Sequence, residues 1–219
     1  MGVRIVIEHG AKRTFASALD WPGWVRGDRT PGGAAASLIG SASRYARVAK
    51  RAGIPFTPPR SVDELEVVEE LTGSGSTDFG VPGTAATSED EPMEAAELER
   101  HLALLRAAWE ELDDRAGAAR GHTLRTGPRG GGRDLERILE HVTAAESAYL
   151  GQLGARPPRA ENAGLLRDAF VDALRTRVAG RPFAEPRRTK HPWSPRYAIR
   201  RAAWHVLDHA WEIEDRVEP

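Results

Sequence analysis

Apolar residues recur at helical spacing in four stretches of the 219-residue chain, and this periodicity constrains the fold most. The repeats fall three or four positions apart, which places each set on one face of an amphipathic helix. The positions are Leu98, Leu102, Leu105, Trp109 and Leu112; Leu135, Ile138, Val142, Ala145 and Tyr149; Leu166, Phe170, Leu174 and Val178; and Ala198, Ala202, Val206 and Ile213. Four such helices predict a four-helix bundle over residues 93–219.

The first 72 residues predict a small α/β unit. Short runs rich in β-branched residues at 3–9 and 14–19 are typical of strands, and 65–73 predicts a third. A cap at Thr30, a proline at 31 and a stop at Gly53 predict one helix over 30–53. The fold class expected overall is α+β, mainly α, with a ββαβ unit before the bundle. Residues 73–92, rich in Gly, Ser, Thr and Pro, are interpreted as a linker or an extended crossing segment.

Composition excludes several classes of chemistry. The chain has no cysteine, so it has no disulfide, no thiolate zinc site and no catalytic thiol of its own. Any metal must be held by His, Asp or Glu, and thiol chemistry would need a small-molecule thiol. The N-terminal apolar run is too short for a signal peptide, and no segment approaches the length of a membrane span, so we expect a cytoplasmic protein without a membrane contact.

Charge is unevenly distributed along the chain, although the net charge is −1. Residues 1–60 carry ten Lys and Arg against three Asp and Glu, whereas residues 61–115 carry three against sixteen. A basic segment can indicate nucleic-acid binding, but the chain shows no DNA-reading motif. The acidic neighbour favours neutralisation within the molecule, and nucleic acid is not an expected partner.

Three histidines are the candidate metal ligands. His205 and His209 are four residues apart, about 40° on a helix, and therefore point the same way. His141 lies at the margin of the apolar face of the second predicted helix. Three neutral imidazoles can bind a divalent ion and leave a coordination position open. The alternative is three partly buried histidines satisfied by carboxylates. Residue 206 is Val, so the protease motif H-E-x-x-H is absent.

Two segments carry a resemblance to a known family. "RILEHVTAAESAYL" (137–150) together with "WHVLDHAWEIEDR" (204–216) resembles the DinB/YfiT-like superfamily over roughly residues 90–217. The resemblance implies an up-down four-helix bundle that holds a divalent metal through His141, His205 and His209. Zinc or nickel is the expected ion, with iron or manganese as alternatives. Some relatives are thiol S-transferases or isomerases that use mycothiol, bacillithiol or glutathione, and relatives are often homodimers.

The N-terminal part carries a second, shorter resemblance. "FASALDWPGWVRGDRTPGGAAASL" contains an acidic–aromatic–Pro–Gly turn followed by a short helix. In this the segment is similar to the small HicB-like domain, which implies that residues 1–72 form a unit of that kind.

Other residues are candidates for substrate contacts. Arg129 and Arg133 precede a predicted helix and could bind an anion, although a plain loop is the alternative. Near the start of the last helix, Trp193 and Tyr197, with His191, could line the metal cleft or form a structural aromatic cluster. Glu212 could orient a ligand histidine or move a proton, or could be a solvated helix charge.

The sequence therefore supports three functional hypotheses. The first is a metal-dependent thiol S-transferase that acts on small electrophilic substrates. The second is a metal-dependent hydrolase, which would need the same ligands and use water as the nucleophile. The third is a non-enzymatic binding or regulatory module with a structural metal or none.

Overall fold

The computed structural model describes residues 2–126, 132–159 and 162–218, and within them the fold is α+β. The strands are β1 (Val3–His9), β2 (Thr14–Ala18), β3 (Val25–Asp28) and β4 (Leu65–Thr72). The helices are α1 (Pro31–Gly40), α2 (Ala42–Arg51), α3 (Gly75–Asp78), α4 (Ala95–Ala119), α5 (Leu135–Gln152), α6 (Ala163–Val178) and α7 (Pro195–Arg216). Short 3₁₀ turns occupy Val62–Glu64 and Thr87–Asp90.

The four strands form one mixed sheet in the order β3-β2-β1-β4. β1 pairs antiparallel with β2 and parallel with β4, and β2 pairs antiparallel with β3. The three strands predicted from the sequence are confirmed, but β3 was not predicted. Its sequence, VRGD, lacks the apolar run that is typical of a strand, and pairing with β2 outweighs that weak propensity.

The predicted single helix over 30–53 is instead two helices separated at Ser41. The hydroxyl of Ser41 donates to the carbonyl of Leu38 and accepts a hydrogen bond from Nε1 of the buried Trp24. This local bonding competes with continuation of the helix, because a serine hydroxyl offers the backbone an alternative partner. The structure therefore corrects the ββαβ unit to three strands, two helices and a fourth strand.

The four long helices predicted from periodicity are present as α4 to α7. Side chains cap three of them, since Asp134, Asn162 and Ser194 accept hydrogen bonds from backbone amides in the first turns of α5, α6 and α7. The predicted apolar faces of α4 and α7 are buried, and α4 makes its main contact with α7. α5 contacts both α6 and α7, so the start of α5 lies close to the last helix.

Helix α7 lies between the sheet and the other helices and is almost entirely buried. On one side Trp204 packs against Phe15 of β2 and Val25 of β3. Gly23, in the turn before β3, approaches α7 at Ala203 and Leu207. One hydrophobic cluster continues from the sheet through α1 and α2 into the long helices. α7 is thus the element to which both predicted parts of the chain are attached, and the predicted boundary at residue 72 stays a prediction.

Residues 73–92, interpreted as a linker, pack closely on both the sheet and α7. Glu8 of β1 is buried and accepts hydrogen bonds from the hydroxyl of Thr77 and from the amides of Gly83 and Thr84. Glu89 is also buried and pairs with Arg200 of α7.

Across the described residues, no helix combines the length and apolar character needed to cross a bilayer.

Candidate metal centre

Helices α5 and α7 bring three histidine side chains together. One ring nitrogen from each of His141, His205 and His209 lies within 4.8 Å of the others. Nε2 of His141 is 3.1 Å from Nε2 of His205, although the two residues are 64 positions apart in the chain. His205 and His209 are buried, and His141 is half-buried. The cluster therefore has one half-buried and two buried histidines.

The protonation of the histidines suits metal binding. Burial, reinforced by the neighbouring His209 and His141, lowers the pKa of His205 to about 2. Burial and the nearby charge of Arg133 also lower the pKa of His141. Both imidazoles are consequently neutral near pH 7, the form in which a ring nitrogen has a lone pair for a metal.

A carboxylate orients the third histidine. Nδ1 of His209 lies 2.8 Å from Oε2 of Glu212, which leaves Nε2 of His209 for a ligand. The other oxygen of Glu212 accepts from Arg216. The hydrogen bond to His209, together with Arg216, lowers the pKa of Glu212. An ionised carboxylate bonded to the far nitrogen of a histidine is the arrangement that fixes the tautomer and ring orientation of metal-ligating histidines.

Arg216 extends this network to the segment before α5. Its Nε donates to the carbonyl of Arg125 at 2.8 Å, and its Nη2 donates to the carbonyl of Arg133 at 2.9 Å. The guanidinium therefore holds both the orienting carboxylate of Glu212 and the chain that leads into α5. Arg216 thus links the carboxylate beside His209 to the segment that precedes the helix of His141.

One pair of the candidate donor atoms, on His141 and His205, has the spacing expected on a single metal ion. Two histidine nitrogens on a tetrahedral zinc ion, each at a bond length of about 2.0–2.1 Å, are separated by roughly 3.3 Å. The separation between Nε2 of His141 and Nε2 of His205 is 3.1 Å. Nitrogen-only donor sets suit zinc, nickel, copper or iron rather than magnesium or calcium. The donor chemistry and the separation of this pair thus fit a divalent ion of this class, whereas the bound of 4.8 Å on all three donor atoms is wider than the roughly 4.2 Å that two nitrogens on one ion can span.

Aromatic rings surround His205 on α7. The ring of Tyr149 is 5.9 Å from that of His205, and the ring of Trp204 is 6.0 Å from it. The ring centroids of Trp193 and Tyr149 are 5.1 Å apart. Trp193, which was predicted to line the metal cleft, therefore contacts Tyr149, and Tyr149 contacts His205. Tyr197 contacts the far side of Trp193, and its hydroxyl donates to the carbonyl of Gly83.

The remaining predicted residues are placed differently. Arg133 lies directly before α5, where its side chain is exposed and its charge acts on His141. Arg129 falls outside the described residues. His191 is exposed at the approach to α7.

Two neighbours of the centre were not predicted as functional. Tyr149 was assigned only to the apolar face of its helix. Arg201, one turn before His205, was not considered, although its buried guanidinium bonds to the hydroxyl of Tyr149. Its spacing of four residues from His205 was the signal in the sequence, because residues four apart share a helix face.

Comparison of the chain with protein-family models, with curated proteins and with solved structures gave no match.

Proposed function

We propose that this protein binds a divalent metal ion through His141, His205 and His209 and activates a low-molecular-weight thiol for transfer to a small electrophilic substrate. The observation that carries the proposal is the convergence of three ring nitrogens within 4.8 Å at the contact of α5 with α7. Glu212 would orient His209 as a ligand, and no described carboxylate pairs with His141 or His205, so the cluster departs from the alternative of three histidines satisfied by carboxylates.

Membership of the DinB/YfiT-like superfamily is part of this proposal. It is supported by one histidine in the second of four long helices and a histidine pair in the last. A HicB-like origin of the N-terminal part is proposed likewise, because the turn at residues 20–24 precedes the short helix α1. A cytoplasmic location and a homodimer complete the hypothesis.

The chemistry expected of such a centre is activation of a nucleophile. A bound divalent ion lowers the pKa of a thiol and stabilises the thiolate. The chain's own contribution is to present neutral imidazoles and to hold them in place. Both carboxylate oxygens of Glu212 are engaged, by His209 and by Arg216. Glu212 is therefore proposed as a positioning residue rather than as a carrier of protons.

The first experiment measures the metal content of the protein purified without a histidine tag and without added metal. The parent is compared with His141→Ala and His205→Ala, and with His9→Ala as a matched control, because His9 pairs with Glu70 in the sheet. We expect near-stoichiometric metal in the parent and in the control, and none in the other two variants. A parent that contains no metal and takes up no zinc, nickel, iron or manganese would refute the centre.

The second experiment tests the reaction. The metal-loaded protein is incubated with glutathione, mycothiol or bacillithiol and an electrophilic acceptor such as a chlorinated nitroarene. Turnover that needs both metal and thiol is expected, and it should be absent in His205→Ala. Hydrolysis of an ester panel without any thiol would instead favour metal-dependent hydrolysis.

A further inference from the structure

Arg201 is a buried arginine with unused hydrogen-bonding capacity. The residue is 5% exposed, and Nη2 donates a hydrogen bond to the hydroxyl of Tyr149 at 3.3 Å. Nε and Nη1 have none among the residues that the structure describes. A buried charge without a counter-ion is costly, and native proteins rarely retain one without a reason.

The adjacent Arg200 shows what a satisfied buried arginine looks like in this fold. Nε and Nη2 of Arg200 donate to the two carboxylate oxygens of Glu89, at 2.6 Å and 2.8 Å, and Nη2 also donates to the carbonyl of Thr84. Arg201 is similarly buried but faces another side of α7, where no described carboxylate forms an ion pair with it. Within the part of the chain that the structure describes, a carboxylate pairs with Arg200 and none pairs with Arg201.

The guanidinium of Arg201 lies beside the metal centre. It sits over the ring of Trp204, 4.8 Å from the centroid, and 5.5 Å from the centroid of Tyr149. The same two rings flank the imidazole of His205. Arg201 and His205 are four residues apart on α7, about 6 Å along the helix axis, and on the same face. A small ligand could therefore contact both groups.

We propose that Arg201 binds the carboxylate of a small ligand whose other end lies at the His141–His205–His209 centre. The placement of one end of the ligand at the metal centre rests on the proposed function. The binding of a carboxylate by Arg201 rests on the unpartnered atoms of its guanidinium. Aromatic faces stabilise the charged guanidinium that they contact. They also exclude water from it, and the exclusion of water strengthens its hydrogen bond to an anion. Tyr149 and Trp193 are half-buried and in contact with each other, and the proposed ligand would lie along these two rings.

This assignment narrows the substrate class. The ligand is a short molecule that carries a carboxylate a few bonds away from the group that reaches the metal. A carboxylated thiol, or an electrophile with a carboxylate, meets this description, whereas a neutral thiol uses only half of the site.

The test compares two thiols of the same chain length, one of which ends in a carboxylate and the other in a hydroxyl group. Zinc-loaded protein is titrated calorimetrically with 3-mercaptopropionate and with 3-mercapto-1-propanol, and its zinc content is measured afterwards. A charge-assisted hydrogen bond in a buried site corresponds to a preference of about tenfold or more for the carboxylate. We expect that preference in the parent and in Arg175→Gln, a control at an exposed arginine that pairs with Glu99.

In Arg201→Gln the preference should fall to about twofold or less, while the variant still holds zinc and still binds the alcohol. An equal preference in parent and variant, or no preference in the parent, would overturn the proposal. If Arg201→Gln loses its helical circular dichroism, Arg201→Lys replaces it. The lysine variant keeps the charge and should retain a preference that is reduced severalfold, and an undiminished preference would count against Arg201.

A metal-free titration separates this inference from the proposed function. Propionate is added to the apo protein while tryptophan fluorescence is recorded, because Trp204 lies against the guanidinium of Arg201. Should the parent bind no zinc, the metal centre fails, and this titration alone decides the anion site. A saturable change in the parent that disappears in Arg201→Gln supports the site, and the lack of any saturable change in the parent overturns it.

Discussion

Nδ1 of His209 lies 2.8 Å from Oε2 of Glu212, one turn further along the same helix. Because Glu212 is also bonded to Arg216, the carboxylate cannot rotate away without breaking a second contact. This bond holds the ring of His209, whose centroid lies 5.1 Å from that of His141 and 4.7 Å from that of His205. This pair connects the candidate metal site to a network that reaches the chain before α5.

Removal of the orienting carboxylate should weaken metal binding without abolishing it. In Glu212→Ala we expect the affinity for zinc to fall about 10- to 100-fold, as is typical when the hydrogen-bond partner of a ligating histidine is lost. Competition with a chromophoric chelator measures the affinity. Asp168→Ala, at an exposed position on α6, is the control and should bind as the parent does. An unchanged affinity in Glu212→Ala would show that packing alone orients His209.

The ion pair between Glu89 and Arg200 should dominate the attachment of residues 73–92 to α7. Both side chains are nearly inaccessible, so truncation of one partner leaves an uncompensated buried charge. Glu89→Ala is expected to lower the free energy of unfolding by about 3–5 kcal/mol. Glu99→Ala, which removes an exposed partner of Arg175, should have little effect.

Urea denaturation of the two variants measures this difference. The double variant Glu89→Gln with Arg200→Met should recover part of the lost stability, because it removes both buried charges together. Equal losses in Glu89→Ala and in the exposed control would show that the buried pair does not hold the segment.

Glu146 should make the stability depend on pH. Burial raises the pKa of this carboxyl to about 7, despite the opposing effects of Arg167 and of the hydrogen bond from Trp109. Between its ordinary pKa of 4.5 and about 7 the folded protein holds a proton that the unfolded chain releases. The contribution of Glu146 to stability therefore falls as pH rises through this window, by about 3 kcal/mol in total.

Glu146→Gln removes this titration, so the stability of the variant relative to the parent should increase between pH 5 and pH 8. Urea denaturation at unit pH intervals measures the difference, and contributions from other titrating groups cancel in it. Glu140→Gln, at an exposed position of the same helix, should show a constant difference. A constant difference for Glu146→Gln as well would mean that Glu146 is ionised throughout the range.

The helices could be predicted from the sequence because each buries a continuous face. Leu98, Leu102 and Leu105 follow that rule on α4, and all three are buried. β3 escaped prediction because its four residues gain their structure from pairing with β2 rather than from their own propensity. The break at Ser41 depends on Trp24, a tertiary contact that helix-end signals do not encode.

The candidate site divides in the same way. His205, His209 and Glu212 share one helix, so their proximity could be read from spacing alone. That His141 faces them depended on how α5 packs against α7. The adjacent residues Arg200 and Arg201 show most clearly what the sequence cannot predict. The guanidinium of Arg200 forms an ion pair with Glu89, whereas that of Arg201 pairs with none of the described carboxylates. That difference depends on the course of residues 73–92 across α7.

The contact of Gly23 with α7 should link the N-terminal part to the metal centre. Gly23 has a φ of +91°, and a Cβ there would lie 2.9 Å from Cδ1 of Leu207 and 3.0 Å from Ala203. Gly53 also has a positive φ, of +69°, but nothing lies within 4 Å of its Cβ position. Alanine at either site adds a conformational strain of about 1–2 kcal/mol. Only Gly23→Ala must also displace α7, which adds about 1–3 kcal/mol.

We therefore expect Gly23→Ala to lower the free energy of unfolding clearly more than Gly53→Ala does, as measured by urea denaturation. His205 lies between Ala203 and Leu207 in the sequence, so a displacement of α7 at these residues moves a candidate ligand. The affinity for zinc should accordingly fall severalfold in Gly23→Ala and stay unchanged in Gly53→Ala. Equal losses of stability in the two variants would show that α7 accommodates the added methyl group at this contact without a further loss of free energy. The sheet unit would then exert no control over the position of His205.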